Sequence, residues 1–206
     1  MKALIFDMGG VLIDLDMGAC RNAFRDELGF AEIDQILDPC HQKGIIGDME
    51  EGLVGADDFR DYVIAGSNPG VTYDDVDHAL YRILSHIPPY KIDMLRRLSE
   101  KYDLYMLSNN NPIAAKRASE MFLEAGAAME TLFRKCYMSY KMKMLKPSED
   151  FYKAVMADIA LPAEDMLFID DSRNNVDAAV SAGLPAIYYQ PGTDLEKLLH
   201  EHVGDF

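Results

Sequence analysis

Residues 3–12, ALIFDMGGVL, decide how this chain is read. Ala3-Leu4-Ile5-Phe6 is apolar on both alternating faces, which suits a strand buried in a parallel sheet. It ends abruptly in Asp7, and Gly9 and Gly10 follow within three residues. A carboxylate at the tip of a buried strand, with permissive backbone behind it, marks a candidate site. Position 9 holds a glycine where a second acid would be useful, so the question is what one aspartate does there without that neighbour.

The same kind of run recurs at Leu104 to Leu107, Met166 to Ile169 and Pro185 to Tyr189. Helical patterns separate these runs. IDMLRRLSEKY (92–102) puts Ile92, Leu95 and Leu98 on one face. Residues 112–125 open on a proline and stop before Gly126, 148–161 carry Ser148 as a candidate N-cap, and 174–183 close at Gly183. Strand–helix alternation of this kind predicts an α/β sheet with right-handed crossovers. Residues 16–88 read differently. Helical patterns appear at 17–28, 56–65 and 73–87, with no strong strand run, and Pro88-Pro89 marks a return. The expected organisation is an α/β core made of 1–15 and 89–206, with a small helical cap, 16–88, inserted after the first strand.

Composition narrows the function. The chain has 206 residues, 49% apolar and 27% charged, with a formal net charge of −15. That balance argues against nucleic-acid and anionic-membrane partners, although a bound cation can still bring in an anionic substrate. Cys20, Cys40 and Cys136 are far apart and odd in number, so a reducing compartment is expected. MKALIFDMGG reads as a strand rather than a signal peptide, and no apolar run approaches transmembrane length. The expected location is cytoplasmic.

Open α/β sheets bind ligands at the carboxyl ends of their strands. Collected there are Asp7, then Ser108-Asn109 after the 104–107 run, and Asp170-Asp171 after the 166–169 run; Lys146 precedes Pro147 at the start of a helix. Ser108 and Asn109 alone would read as turn residues, and Lys146 alone as a surface lysine. Together they suit phosphoryl transfer. Asp7 can be a nucleophile, and Asp7 and Asp171 can share Mg²⁺, with Asp170 a ligand directly or through water. Ser108, Asn109 and Lys146 can hold phosphate oxygens, and Asn175 can support the site by hydrogen bonds. His41 and Glu50 are weaker candidates for the cap side of the pocket.

FDMGGVLID (6–14), LSN (107–109), KPSEDFY (146–152) and FIDDSRNNVDAA (168–179), in this order, resemble the haloacid dehalogenase-like hydrolase superfamily. Within it the chain looks most like bacterial sugar-phosphate phosphatases, notably the α-glucose-1-phosphate phosphatase type. The resemblance implies a Rossmann-like core with an inserted helical cap, a small phosphorylated substrate, and an aspartyl-phosphate intermediate on Asp7. Many phosphatases of this superfamily carry an Asp two residues after the nucleophile, where this chain has Gly9, whose carbonyl can still bind Mg²⁺. Three answers stay open: a substrate with a good leaving group such as a sugar 1-phosphate, an acid supplied from the cap or a water, or a weak enzyme acting as a phosphate-ligand sensor. A dehalogenase is a fourth, poorer reading, since paired Asp170-Asp171 argue for a metal. Oligomeric state is not encoded in any of these features. If Gly9 requires φ > 0, an aspartate there would be strained.

Overall fold

A computed structural model describes residues 1–38 and 42–206. Among these residues the chain forms a five-stranded parallel sheet and a separate two-stranded ribbon. The strands are β1 (Ala3–Phe6), β2 (Asp14–Leu15), β3 (Leu84–His86), β4 (Asp103–Ser108), β5 (Lys135–Met138), β6 (Met166–Asp170) and β7 (Ala186–Tyr188). The main sheet runs β5-β4-β1-β6-β7. Phe6, the last residue of β1, stands opposite Met106 on one side and Ile169 on the other, so β4 runs two residues further, to Ser108, and β6 one further, to Asp170. The chain leaves β1 outward through β4 to β5, then returns to β6 on the other flank. The carboxyl edge at β1 is therefore the switch point where such sheets bind ligands.

The apolar runs form strands for the expected reason. All four residues of β1 are fully buried, because helices cover both faces of the sheet. Helix Pro112–Glu124 starts on Pro112, and the Asn111 side chain accepts the Ala114 N–H at 2.9 Å. Helix Glu149–Ile159 has Ser148 at its N-cap position, with no side-chain cap bond from the hydroxyl.

Residues 16–88 carry their own apolar cluster, built around Phe24, Phe30, Phe59, Val76 and Leu80, with Phe24 edge-on or tilted to both other rings at 6.2 Å. Ile113 of helix Pro112–Glu124 joins that cluster and seats it on the core. The 73–87 helix is shorter than its apolar stripe predicts. A Thr72–Asp75 capping box starts it at Tyr73, and it stops at Tyr81. Leu84–His86 is instead β3, paired antiparallel with β2. This ribbon carries the chain into and out of the insert. It is tied to the core by the buried Lys91, whose Nζ lies 3.1 Å from Asp14 Oδ1. Two further expectations shift: 17–28 is a helix only to Asn22 before a wider turn over Ala23–Glu27, and 92–102 is a helix from Pro89 to Ser99. No helix among the described residues is long and apolar enough to cross a membrane.

Candidate active site

Asp7 leaves β1 with its N–H still bonded to the Ile169 carbonyl at 2.9 Å, so the sheet fixes its backbone. Its Oδ1 accepts the Met8 N–H at 2.7 Å. Lys146 Nζ lies 3.0 Å from Asp7 Oδ1 and 2.6 Å from Asp170 Oδ2. The lysine is 1% exposed and Asp170 is fully buried, so this contact is made away from bulk water. The expected surface alternative for Lys146 is thereby excluded. Asp170 is also held by the Ser172 N–H at 2.7 Å and by the Asn175 amide at 3.0 and 3.1 Å, which is the support anticipated for Asn175. Asp7, Asp170 and Asp171 each offer a carboxylate oxygen, and these oxygens lie within 4.8 Å of one another.

The two glycines behind Asp7 differ. Gly10 has φ +76°, and a Cβ there would collide with the Asp171 carboxylate, so only glycine lets this turn close onto Asp171. Gly9 is not in the left-handed region, which removes the anticipated backbone strain on a side chain at that position. A Cβ at Gly9 would instead meet Leu15, at 3.2 Å from Cδ1.

Ser108 ends β4 and is 2% exposed. Asn109 follows, and both ends of its amide are engaged with the Lys146 backbone: Oδ1 accepts the Lys146 N–H at 2.8 Å and Nδ2 donates to the Lys146 carbonyl at 2.9 Å. Asn109 was expected at the phosphate. Its side chain here clamps the lysine, and a phosphate contact would use its remaining amide hydrogen.

Asp7, Gly9, Ser108, Asn109, Lys146 and Asp171 all line one cavity of about 450 Å³, which the insert closes with Gln42 and Glu50. A recess of about 110 Å³ continues from it past Met17, Ile46 and Leu80 of the insert. Glu50 was anticipated on the cap side. Gln42 was missed, and no periodicity or motif marks it. His41, the other cap candidate, lies outside the described residues. A wider cleft of about 940 Å³, between Asp16, His78 and Arg117, contains none of Asp7, Glu50, Lys146, Asp170 and Asp171.

Electrostatics follow from this crowding. Burial pushes the Asp7 carboxyl up to about 7, Lys146 opposes the rise, and Asp170 and Asp171 add to it. Burial and the Asp170 charge raise Asp171 to about 6. Burial likewise lifts Glu50 to about 8, with Lys146 lowering it and Asp7 raising it. Burial pulls Lys146 down, but Asp170 and Asp7 outweigh it and keep the ammonium above the ordinary lysine range. One cation thus sits among three acids, and the cluster is short of positive charge.

Residues 1–183 match the family model for haloacid dehalogenase-like hydrolases, and the chain belongs to that family. It is 30% identical over 195 residues to a D-ribitol-5-phosphate phosphatase from Bacteroides thetaiotaomicron, covering 94% of each chain. A solved haloacid dehalogenase-family enzyme from the same organism, an aspartate-to-alanine variant in complex with magnesium and inorganic phosphate, superposes with a TM-score of 0.91 at 35% identity, over 97% of this chain and 98% of that one. A haloacid dehalogenase-like hydrolase from Porphyromonas gingivalis gives 0.90 at 32% identity, over 100% of this chain and 99% of that one.

Proposed function

We propose that this protein is a Mg²⁺-dependent phosphomonoesterase that hydrolyses a small polyol or sugar phosphate through an aspartyl-phosphate on Asp7. The observation that carries the reading is Lys146, buried between Asp7 and Asp170 at the carboxyl edge of the sheet. A buried ammonium placed beside the nucleophile can meet a phosphate dianion and lower its repulsion from the carboxylate. The B. thetaiotaomicron relative adds the substrate class, since ribitol 5-phosphate is an ester of a primary polyol hydroxyl.

The residues present fit Mg²⁺. Three hard oxygen donors converge, and their shared lysine leaves the negative charge uncompensated. Asp7, Asp171 and the Gly9 carbonyl would hold the ion, with Asp170 a ligand or a support. When bound, the ion neutralises charge on the phosphate and on the acids around it. The chain's own groups do the rest. Asp7 Oδ attacks phosphorus, Ser108 and Lys146 bind the non-bridging oxygens, and residues 16–88 act as a cap that excludes water. A water then attacks the phosphorus of the aspartyl-phosphate and releases inorganic phosphate.

Incubation with a panel of phosphate esters tests this directly. Phosphate release should vanish in EDTA and return with Mg²⁺; full turnover in EDTA would sink the metal assignment. A stability measurement gives an independent arm. The folded-state pKa of Asp171 is above its ordinary value of 3.8, at about 6. The folded state therefore holds that proton more tightly, and stability falls as pH rises from about 4 through 6. The penalty is fully present at pH 8. Asp171→Asn should then stabilise the metal-free protein at pH 8 by on the order of 1–3 kcal/mol, and gain little near pH 4. Mg²⁺ should raise the melting temperature of the wild type and barely move the variant. A variant that responds to Mg²⁺ like the wild type would remove Asp171 from the ligand set.

A further inference from the structure

The phosphatase reading leaves the leaving group without a proton. Gly9 has no side chain to supply one, and Leu15 packs beside it, its Cδ1 and Cδ2 3.2 and 3.4 Å from where a Cβ at position 9 would lie. A primary alkoxide is a poor leaving group, so an ester of a primary polyol hydroxyl needs a donor near that oxygen.

Glu50 stands in the same cavity wall as Gly9 and Leu15. Among the described residues of 16–88 it is the one acid that lines this cavity. Its place is fixed from the core. The Ser139 hydroxyl donates to the Glu50 carbonyl at 2.6 Å and accepts the Asn110 N–H at 2.9 Å, so one side chain joins Glu50 to the loop that follows Ser108. Two residues on, Gly52 has φ +73°, and a Cβ there would collide with the Tyr140 carbonyl. The end of helix Gly44–Glu50 is thus fastened against the sheet's carboxyl edge. That fastening is independent of the Glu50 side chain, which is left to the cavity.

We propose that Glu50 is the proton donor to the leaving oxygen, taking the part that Gly9, which has no side chain, cannot play. The assignment rests on the aspartyl-phosphate reading above. In the first step Asp7 Oδ forms a bond to phosphorus, the phosphorus–oxygen ester bond breaks, and its electron pair takes the proton of the Glu50 carboxyl. The products are the polyol, the aspartyl-phosphate and the Glu50 carboxylate. In the second step that carboxylate accepts a proton from water as the water oxygen bonds to phosphorus, giving inorganic phosphate. The bond from Asp7 to phosphorus breaks, Asp7 regains its carboxylate, and Glu50 is protonated again.

The experiment follows alcohol release in single turnovers at saturating Mg²⁺, using ribitol 5-phosphate and 4-nitrophenyl phosphate. Glu50→Gln should slow release from the polyol ester by about 10²–10³-fold, and from the aryl ester, which needs no proton, by less than about 5-fold. Glu50→Asp should fall between wild type and Gln on the polyol ester. Adding Gly9→Asp with Leu15→Ala to Glu50→Gln should recover part of the loss. A merely structural role for Glu50 would slow both esters alike, and an equal loss overturns the assignment while the phosphatase reading stands. A wild type that releases neither alcohol overturns that reading and this one with it.

Discussion

Asp7→Asn is expected to lower phosphate release by a factor on the order of 10⁴ or more, while its melting temperature stays at or above that of the wild type. The carboxamide has no anionic oxygen to attack phosphorus, so the covalent route closes. Stability should not suffer, because burial and the neighbouring acids already disfavour the Asp7 charge in the folded state. Lys146 keeps its shorter contact, 2.6 Å to Asp170. Loss of turnover without loss of fold is the result that assigns chemistry to this side chain. A variant that keeps more than a hundredth of wild-type turnover would place the nucleophile elsewhere. A wild type that binds phosphate esters with Mg²⁺ but never turns them over would favour the sensor reading.

Asp7 was visible in the sequence because burial and chemistry change at one residue. Phe6 is fully buried, and the next position is charged. The same holds at Ile169-Asp170, where strand and site share a boundary. Lys135–Met138 offered no such signal. It is an edge strand with an exposed lysine and a half-buried cysteine, and four residues of that pattern do not stand out. The over-long helix at 73–87 has a different cause. Val76, Leu80, Ile83, Leu84 and Ile87 keep helical spacing, but the stripe serves two cores: Val76 and Leu80 pack in the insert, Leu84 and Ile87 with the sheet. Periodicity records burial and not which core provides it. Glu50 and Gln42 reach the cavity through tertiary contacts such as Ser139 with the Glu50 carbonyl, which local sequence does not encode. Nor did it encode that Asn109 would hold Lys146 by its backbone.

Lys146→Met should damage both stability and activity, and the two losses have one origin. The ammonium is 1% exposed and touches two carboxylates that are themselves buried. Removing it leaves Asp7, Asp170 and Asp171 facing one another without a cation. Breaking a buried pair from one side costs about 3–5 kcal/mol, because the remaining charge stays desolvated. Turnover should fall a further 10²–10³-fold, roughly the loss seen when a single fixed donor to a developing oxyanion is removed. The pH dependence identifies the cause. Lys146 lowers the pKa of both Asp7 and Asp171, so without it their folded-state values rise further above the ordinary 3.8. Acids raised in this way favour the folded state at low pH, and that stability is lost as pH climbs through their folded values. The gap between wild type and variant should therefore be widest at pH 8 and narrow towards pH 5. Mg²⁺ at pH 8 should recover part of it by supplying the missing positive charge. Thermal unfolding of both proteins at the two pH values, with and without Mg²⁺, measures every arm of this expectation. A Lys146→Met protein as stable as the wild type at pH 8 would mean that the acids are neutral in the folded state, and Lys146 would then have no charge cluster to hold.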